Sequence, residues 1–295
     1  MMLNSLLFSS LTAVSFFSSL SSGSLTLVND WAKGPTAISM YVSVPKPTAG
    51  APIIVLLHGC GESAAAYYAA SRAYETAAQQ KGYILIYPQT TFDSHCWDVA
   101  TAKSLKHDGG GDSQSITNMV KYAVTKYNGD AKKVFVTGSS SGGMMTSVLC
   151  GAYPDVFAGG APFSGVGYGC LSGSKGSSPF SDTSPCTKGG VTKTSKEWGD
   201  LVRSAFTGYT GQRPKMSVWH GTADGIVKPH TYDEAMKQWS DVLAQPFAKN
   251  VSNDPQARYT KMVYGDGTQL VGYVGAGVGH VVPQHPKQVL EFWGI

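Results

Sequence analysis

The stretch VFVTGSSSGGMM, Val134 to Met145, sets three serines between glycines at the end of an apolar run. The pattern G-x-S-x-G admits only Ser140, framed by Gly138 and Gly142. In a chain with 35 glycines one such match is weak, and its setting decides what it means. Lys133 to Thr137 (KVFVT) reads as a short buried strand, and Met144 to Ala152 (MMTSVLCGA) as the helix after it. A strand that turns sharply into a helix holds the turn serine in a strained, exposed position. The next residue then offers its backbone N–H to a developing oxyanion. A Gly/Ser-rich surface turn is the alternative reading of the same residues.

Outward from this turn, apolar runs alternate with helical spacings. Ser24 to Val28 and Ile38 to Val44 read as an opening pair of strands, with a turn at Pro45 to Ala51. Pro52 to Leu57 (PIIVLL) is continuous enough for a strand buried on both faces. Ser63 to Lys81 has helical spacing and stops at Gly82; Tyr83 to Tyr87 is the next strand, closed by Pro88. After a long loop, Gln89 to Gly111, Asp112 caps a helix that ends at Asn128-Gly129. Beyond the serine turn, Phe157 to Phe163 reads as a strand and Ser164 to Thr194 as a Gly/Ser-rich excursion without periodicity. Met216 to His220 is a strand, Tyr232 to Leu243 a helix, Arg258 to Tyr264 and Leu270 to Val274 two strands, and Pro286 to Trp293 a last helix. Strands alternating with helices imply a single α/β domain, its mostly parallel, doubly wound sheet covered on both faces. There is no internal repeat, linker or second module, so no appended carbohydrate-binding module is expected, and the chain is expected to be a monomer.

Composition narrows the partners. Charged residues make up 14% of the 295 positions, against about 25% in average chains. The net charge of +4 comes from scattered lysines without a basic run, which argues against nucleic acid or an anionic membrane as the main partner. The first 23 residues are apolar, serine-rich and free of acidic side chains. They read as a secretory signal peptide ending near Ser21 to Gly23, with the domain proper at 24–295. A membrane anchor is the alternative, but serines interrupt the apolar stretch too often. Cys60, Cys96, Cys150, Cys170 and Cys186 fit an extracellular compartment and show no metal-ligand spacing, so no metal site is expected. Five cysteines allow fifteen two-bridge arrangements. Because Cys60 and Cys96 follow two neighbouring strands and Cys170 and Cys186 bracket the loosest segment, those pairs are expected, with Cys150 free. Asn250-Val-Ser252 is the one N-glycosylation sequon, in a polar stretch that reads as a surface loop.

A serine hydroxyl needs a base, and in a doubly wound hydrolase the acid and the base follow on later strand-end loops. His230, His280 and His285 come after Ser140; His280 sits between the last strand and last helix in AGVGHVVP, and is preferred. For the acid, Asp224 directly follows MSVWH, whereas Asp155, Asp200 and Asp233 lie in or beside helices and Asp182 in the long loop. An Asx-turn residue is the plainer reading of Asp224. The oxyanion donors expected from this geometry are the N–H of Ser141 and, from the loop after PIIVLL, the N–H of Cys60, with Gly59 and Gly61 letting the backbone turn inward.

Together LLHGCGESAAAYY, CWDV followed by HDGGGDSQSI, VFVTGSSSGGMM, RPKMSVWHGTAD and GVGHVVP resemble carbohydrate esterase family one. The likeness is to its fungal acetylxylan esterases and feruloyl esterases; HGC also occurs in secreted polyhydroxyalkanoate depolymerases. The resemblance extends over nearly all of the chain after residue 23. It implies the α/β-hydrolase fold, Ser140, Asp224 and His280 as the triad, no cofactor, and hydrolysis of ester decorations on plant-wall xylan. Acetyl is the first expectation for the acyl group, feruloyl the second, and a polyester or cutin ester the third. A catalytically silent binding protein on the same fold is the non-enzyme alternative. Two positions depart from the family: Gly59 stands where the acetylxylan esterases carry an aromatic residue, which enlarges the space near the acyl group, and Cys150 is an addition. Trp97 reads either as a wall of the substrate cleft or as a buried structural tryptophan.

Overall fold

Ile53, Ile54, Val55, Leu56 and Leu57 have no solvent exposure, as a strand packed on both faces requires. They form most of β3 (Ala51–Leu57) in a computed structural model that describes residues 23–46 and 48–295. The expected signal peptide lies, Gly23 apart, outside the described residues. The other strands are β1 (Thr26–Val28), β2 (Ser39–Ser43), β4 (Ile84–Gln89), β5 (Gly129–Ser139), β6 (Gly159–Phe163), β7 (Lys215–Gly221), β8 (Phe247–Ser252), β9 (Tyr259–Tyr264) and β10 (Leu270–Gly275). They form one sheet in the order β1-β2-β4-β3-β5-β6-β7-β10-β9-β8. The run from β4 to β10 is parallel, and antiparallel strands close both edges. This is the α/β-hydrolase arrangement that the sequence predicts.

Side chains alternate along β3 between two cores: Ile53, Val55 and Leu57 join one, Ile54 and Leu56 the other. The first lies under α4 (Asp112–Lys126), α5 (Ser141–Ala152), α6 (Ser195–Ala205) and α7 (His230–Val242). The second lies under α1 (Ala64–Ala70), α2 (Arg72–Lys81) and α8 (Pro286–Trp293), and a short α3 spans Ala102–Leu105. Parallel strands share a polarity, so the ends of β3, β5, β7 and β10 open onto one edge. That edge carries the site.

Some local readings need correction. The single helix expected over Ser63 to Lys81 is two, parted at Ser71, whose backbone leaves helical geometry at φ −100° and ψ 29°. Pro88 does not close β4, which continues to Gln89 after its ladder with β3 ends at Ile86. Gly111, not Asp112, caps α4; Asp112 is buried, and its carboxylate accepts the Asp98 N–H at 3.1 Å. The helix α6 and strand β8 have no counterpart in the sequence reading. The sequon residue Asn250 lies on the exposed outer strand β8 rather than in a loop. Cys60 is bonded to Cys96 and Cys170 to Cys186, while Cys150 is a free thiol buried in α5. Among the described residues no helix is long and apolar enough to cross a membrane.

Candidate active site

At the end of β5 the backbone turns through Ser140 with φ 55° and ψ −119°. A non-glycine residue there is strained, and the surroundings hold it. Its N–H donates to Phe163 O of β6 at 2.9 Å, and its carbonyl accepts the Met144 N–H of α5 at 2.9 Å. The framing glycines are sterically required: a Cβ on Gly142 would lie 2.1 Å from Leu57 O, and one on Gly138 2.6 Å from Gly142. The pattern at 138–142 is thus the condition for packing the turn between β3 and α5.

The strand β7 delivers Asp224, and the loop from β10 to α8 delivers His280. Nδ1 of His280 lies 2.8 Å from Asp224 Oδ2, and its Nε2 lies 2.8 Å from Ser140 Oγ. A carboxylate only accepts, so Nδ1 carries the proton and Nε2 accepts from the serine. The other oxygen, Oδ1, accepts the N–H groups of Ile226 and Val227 at 2.9 Å each. Asp224 is therefore an Asx-turn residue and the partner of His280 at once. Burial opposes its charge, but hydrogen bonds from His220, His280, Val227 and Ile226 outweigh it and hold the carboxyl well below the usual range. The two loops are laced together, Ala223 N–H to Val278 O at 2.9 Å and Gly277 N–H to Thr222 Oγ1 at 2.8 Å.

The competing residues lie elsewhere. His285 stacks on Trp219 with ring centroids 4.7 Å apart. His230 meets Thr192 at 3.0 Å. Asp155 faces His107, Asp182 accepts from Ser174 and Thr187 within its own loop, Asp200 pairs with Lys196 and Arg203, and Asp233 belongs to α7.

Ser141 opens α5, so its N–H is among those with no intrahelical acceptor. Cys60 sits in the loop after β3, and that loop is bound at nearly every residue. Gly59 N–H donates to Glu62 Oε2 at 2.9 Å, Gly61 N–H to Ser94 O at 2.9 Å, and the bridge ties Cys60 to Cys96. Gly61 takes φ 73°, whereas Gly59 does not need glycine's backbone freedom. His58 donates from Nδ1 to Gly59 O at 2.8 Å, and its Nε2 accepts the Thr90 N–H at 3.4 Å. Burial pushes its pKa down, so the imidazole stays neutral.

Trp97 is not a cleft wall. It is fully buried, its indole donates to His58 O at 2.9 Å, and its backbone N–H donates to Ser141 Oγ at 2.8 Å. It braces the Cys60 loop against the elbow from behind. Gly59 does line the cleft: a Cβ there would sit 3.6 Å from the Ser140 Cβ in ordinary contact, with Glu62 and Ser139 no nearer than 3.5 Å. Above Ser140 opens a cavity of about 660 Å³ walled by Gly59, Tyr67, Phe180, Ile226, Val281 and Gln284. Phe180 is 91% exposed and Val281 85%.

Three neighbours of the site are absent from the sequence reading. Gln284 Nε2 donates to Tyr67 OH at 2.7 Å and to Ser139 Oγ at 2.9 Å, a polar patch in the wall of a mainly apolar cleft. His220, four residues before Asp224, reaches the same carboxylate. That spacing was the available signal for His220, as the contiguous HGC was for His58. No group of three or more metal-ligating side chains occurs among the described residues.

Residues 37–179 match the family model described as Esterase PHB depolymerase. Feruloyl esterase B of Neurospora crassa is 49% identical over 273 residues, which cover 92% of this chain and 93% of that protein. A probable acetylxylan esterase A of Neosartorya fischeri is 42% identical over 277 residues, 92% of this chain and 74% of that protein. Among solved structures, an acetyl xylan esterase from Aspergillus awamori superposes with a TM-score of 0.85 at 39% identity. It covers 92% of this chain and 99% of its own.

Proposed function

The chain belongs to carbohydrate esterase family one, with feruloyl esterase B and acetylxylan esterase A, and is a carboxylic ester hydrolase; on that premise we propose that it removes hydroxycinnamoyl as well as acetyl groups from plant-wall xylan. Ser140 is the nucleophile, His280 its base, and Asp224 the residue that orients His280 and stabilises its charged form. Ser140 Oγ attacks the ester carbonyl carbon while its proton passes to His280 Nε2. The oxygen that becomes negative is received by the N–H groups of Cys60 and Ser141. Collapse breaks the bond to the sugar oxygen, which leaves with the proton from His280. Water, activated by the same imidazole, then releases the acid and restores Ser140.

The observation that supports the larger acyl group is the cleft. A space of about 660 Å³ with apolar walls at Phe180, Ile226 and Val281, left open at Gly59, exceeds what an acetyl group fills. Acetyl as the main substrate is the second reading, favoured by the 39%-identical acetyl xylan esterase that superposes over nearly its whole length. Secretion, a signal peptide at 1–23 followed by one catalytic domain, a monomeric state and a glycan on Asn250 are parts of the same proposal; the two disulfides support the extracellular setting. The test is kcat/KM on methyl ferulate, acetylated xylan and a short-chain nitrophenyl ester, side by side. Turnover of methyl ferulate is expected. Activity on acetyl esters alone would leave the second reading, and labelling of no serine by a phosphonate would leave a silent binding protein.

A further inference from the structure

His220, at the end of β7, is buried to 2% exposure. Its Nε2 lies 2.9 Å from Val227 O and 3.2 Å from Asp224 Oδ2. A carbonyl oxygen only accepts, so Nε2 is the protonated nitrogen; its N–H donates to Val227 O and lies in close electrostatic contact with Asp224 Oδ2. Oδ2 of Asp224 therefore meets a histidine on each side: His280 Nδ1 at 2.8 Å in front and His220 Nε2 behind. The turn is closed from both directions, since Oδ1 accepts the Ile226 and Val227 N–H groups while the Val227 carbonyl accepts from His220.

We infer that His220 is a positioning residue for the hydrolysis, fixing the rotation of the Asp224 carboxylate and sharing its negative charge so that His280 is held in place. The inference rests on the Ser140–His280–Asp224 reading above. Without the polar N–H of His220 at 3.2 Å, Oδ2 would face His280 alone and draw a positive imidazolium more strongly. The base would then stay protonated to a higher pH, and the carboxylate would be freer to turn. The other titratable groups facing this pair are Tyr232, its ring 6.2 Å from that of His220, and Asp233, both from α7; Asp233 is held above the usual carboxyl range by burial. Both remain unchanged in every variant below, so the effect is read as a difference.

The experiment is the pH profile of kcat/KM for a nitrophenyl acetate ester in wild type, H220F, H220Q and H220N, with S140A as the control. In H220F the acid limb is expected to move up by about half a unit and kcat to fall about tenfold. H220Q, whose amide reaches the position of Nε2, is expected to restore the limb. H220N, too short to reach Val227, is expected to behave as H220F and serves in its place should the phenylalanine variant fail to fold. Active enzyme is titrated with a serine-directed phosphonate, so loss of folded protein is not mistaken for loss of rate. An acid limb unmoved in H220F and H220N, with only the melting temperature lowered, would overturn the inference and leave His220 a structural residue. Retained turnover in S140A would instead overturn the triad reading itself.

Discussion

Among the three serines of the turn, each hydroxyl has a different occupation. Ser140 Oγ faces His280, Ser139 Oγ sits with Tyr67 and Gln284, and Ser141 Oγ accepts the Trp97 N–H. Ser140→Ala is therefore expected to lower kcat by about 10⁵ or more with the fold intact. Ser141→Ala keeps its backbone N–H and loses one buried hydrogen bond, at a cost of about 1 kcal/mol in stability. Steady-state rates and thermal unfolding of the three alanine variants separate these roles, and equal losses for 139 and 140 would contradict the assignment. Asp224 gives a second residue-scale expectation. Its folded carboxyl titrates below the usual range, whereas an unfolded aspartate titrates near about 3.9. Its contribution is thus fully present above about pH 4 and is lost as pH falls through the lower folded value. The stability difference between wild type and Asp224→Asn should shrink as pH falls below about 4, and a difference unchanged into strong acid would contradict this. Ser140 was legible because packing at a sharp turn imposes its own glycine spacing. Trp97 was not, since a tryptophan beside a cysteine is written alike whether it faces a substrate or braces a loop.

Elements with a local signature were readable, and those held by distant partners were not. The strand β3 announces itself by its unbroken apolar run, and α8 by Pro286 in its first turn. The helix α6 carries a local signal as well, the capping box of Thr194 and Glu197 ahead of Trp198 and Val202. Strand β8 has almost none: its side chains are exposed, and it exists because β9 offers an edge. The loop after β3 is a third kind, an irregular element made rigid by partners far along the chain. Its bridge closes a separation of 36 residues, and in the chain-entropy model such a closure contributes about 3–4 kcal/mol. The same bridge holds Cys60, the proposed oxyanion donor, so on that proposal Cys60→Ala/Cys96→Ala should lose proportionally more kcat than stability. A variant with normal kcat but a lower melting temperature would show that the hydrogen bonds of Gly59 and Gly61 suffice without it.

At the scale of the whole molecule, one sheet edge gathers the ends of β3, β5, β7 and β10, which are separated in sequence but neighbours in the fold. That is why chain order together with a place directly after a late strand points to Asp224 and His280: parallel strands joined by crossovers deliver successive loops to the same edge. The rim of the cleft follows no such rule. Phe180 comes from a segment without helix or strand, fastened by the Cys170–Cys186 bridge and by hydrogen bonds from Ser177, Ser178 and Ser181 to the Asp93 carboxylate. Nothing periodic in 164–194 foretells where its tip will lie. On the proposed function, acyl selectivity is a property of convergence, with Phe180, Ile226 and Val281 on one side of the cleft and the open Gly59 on the other. Filling position 59 should then act on the larger acyl groups first. A Cβ fits there without displacing backbone, the nearest atoms being 3.5 Å away, so Gly59→Trp has room to begin its side chain and must extend it into the cavity. The ratio of kcat/KM for butyrate over acetate esters is expected to fall about tenfold or more, with acetate turnover reduced far less. Uniform loss on both esters would mean that the indole disturbs the Cys60 N–H instead, and an unchanged ratio that the acyl group lies away from residue 59.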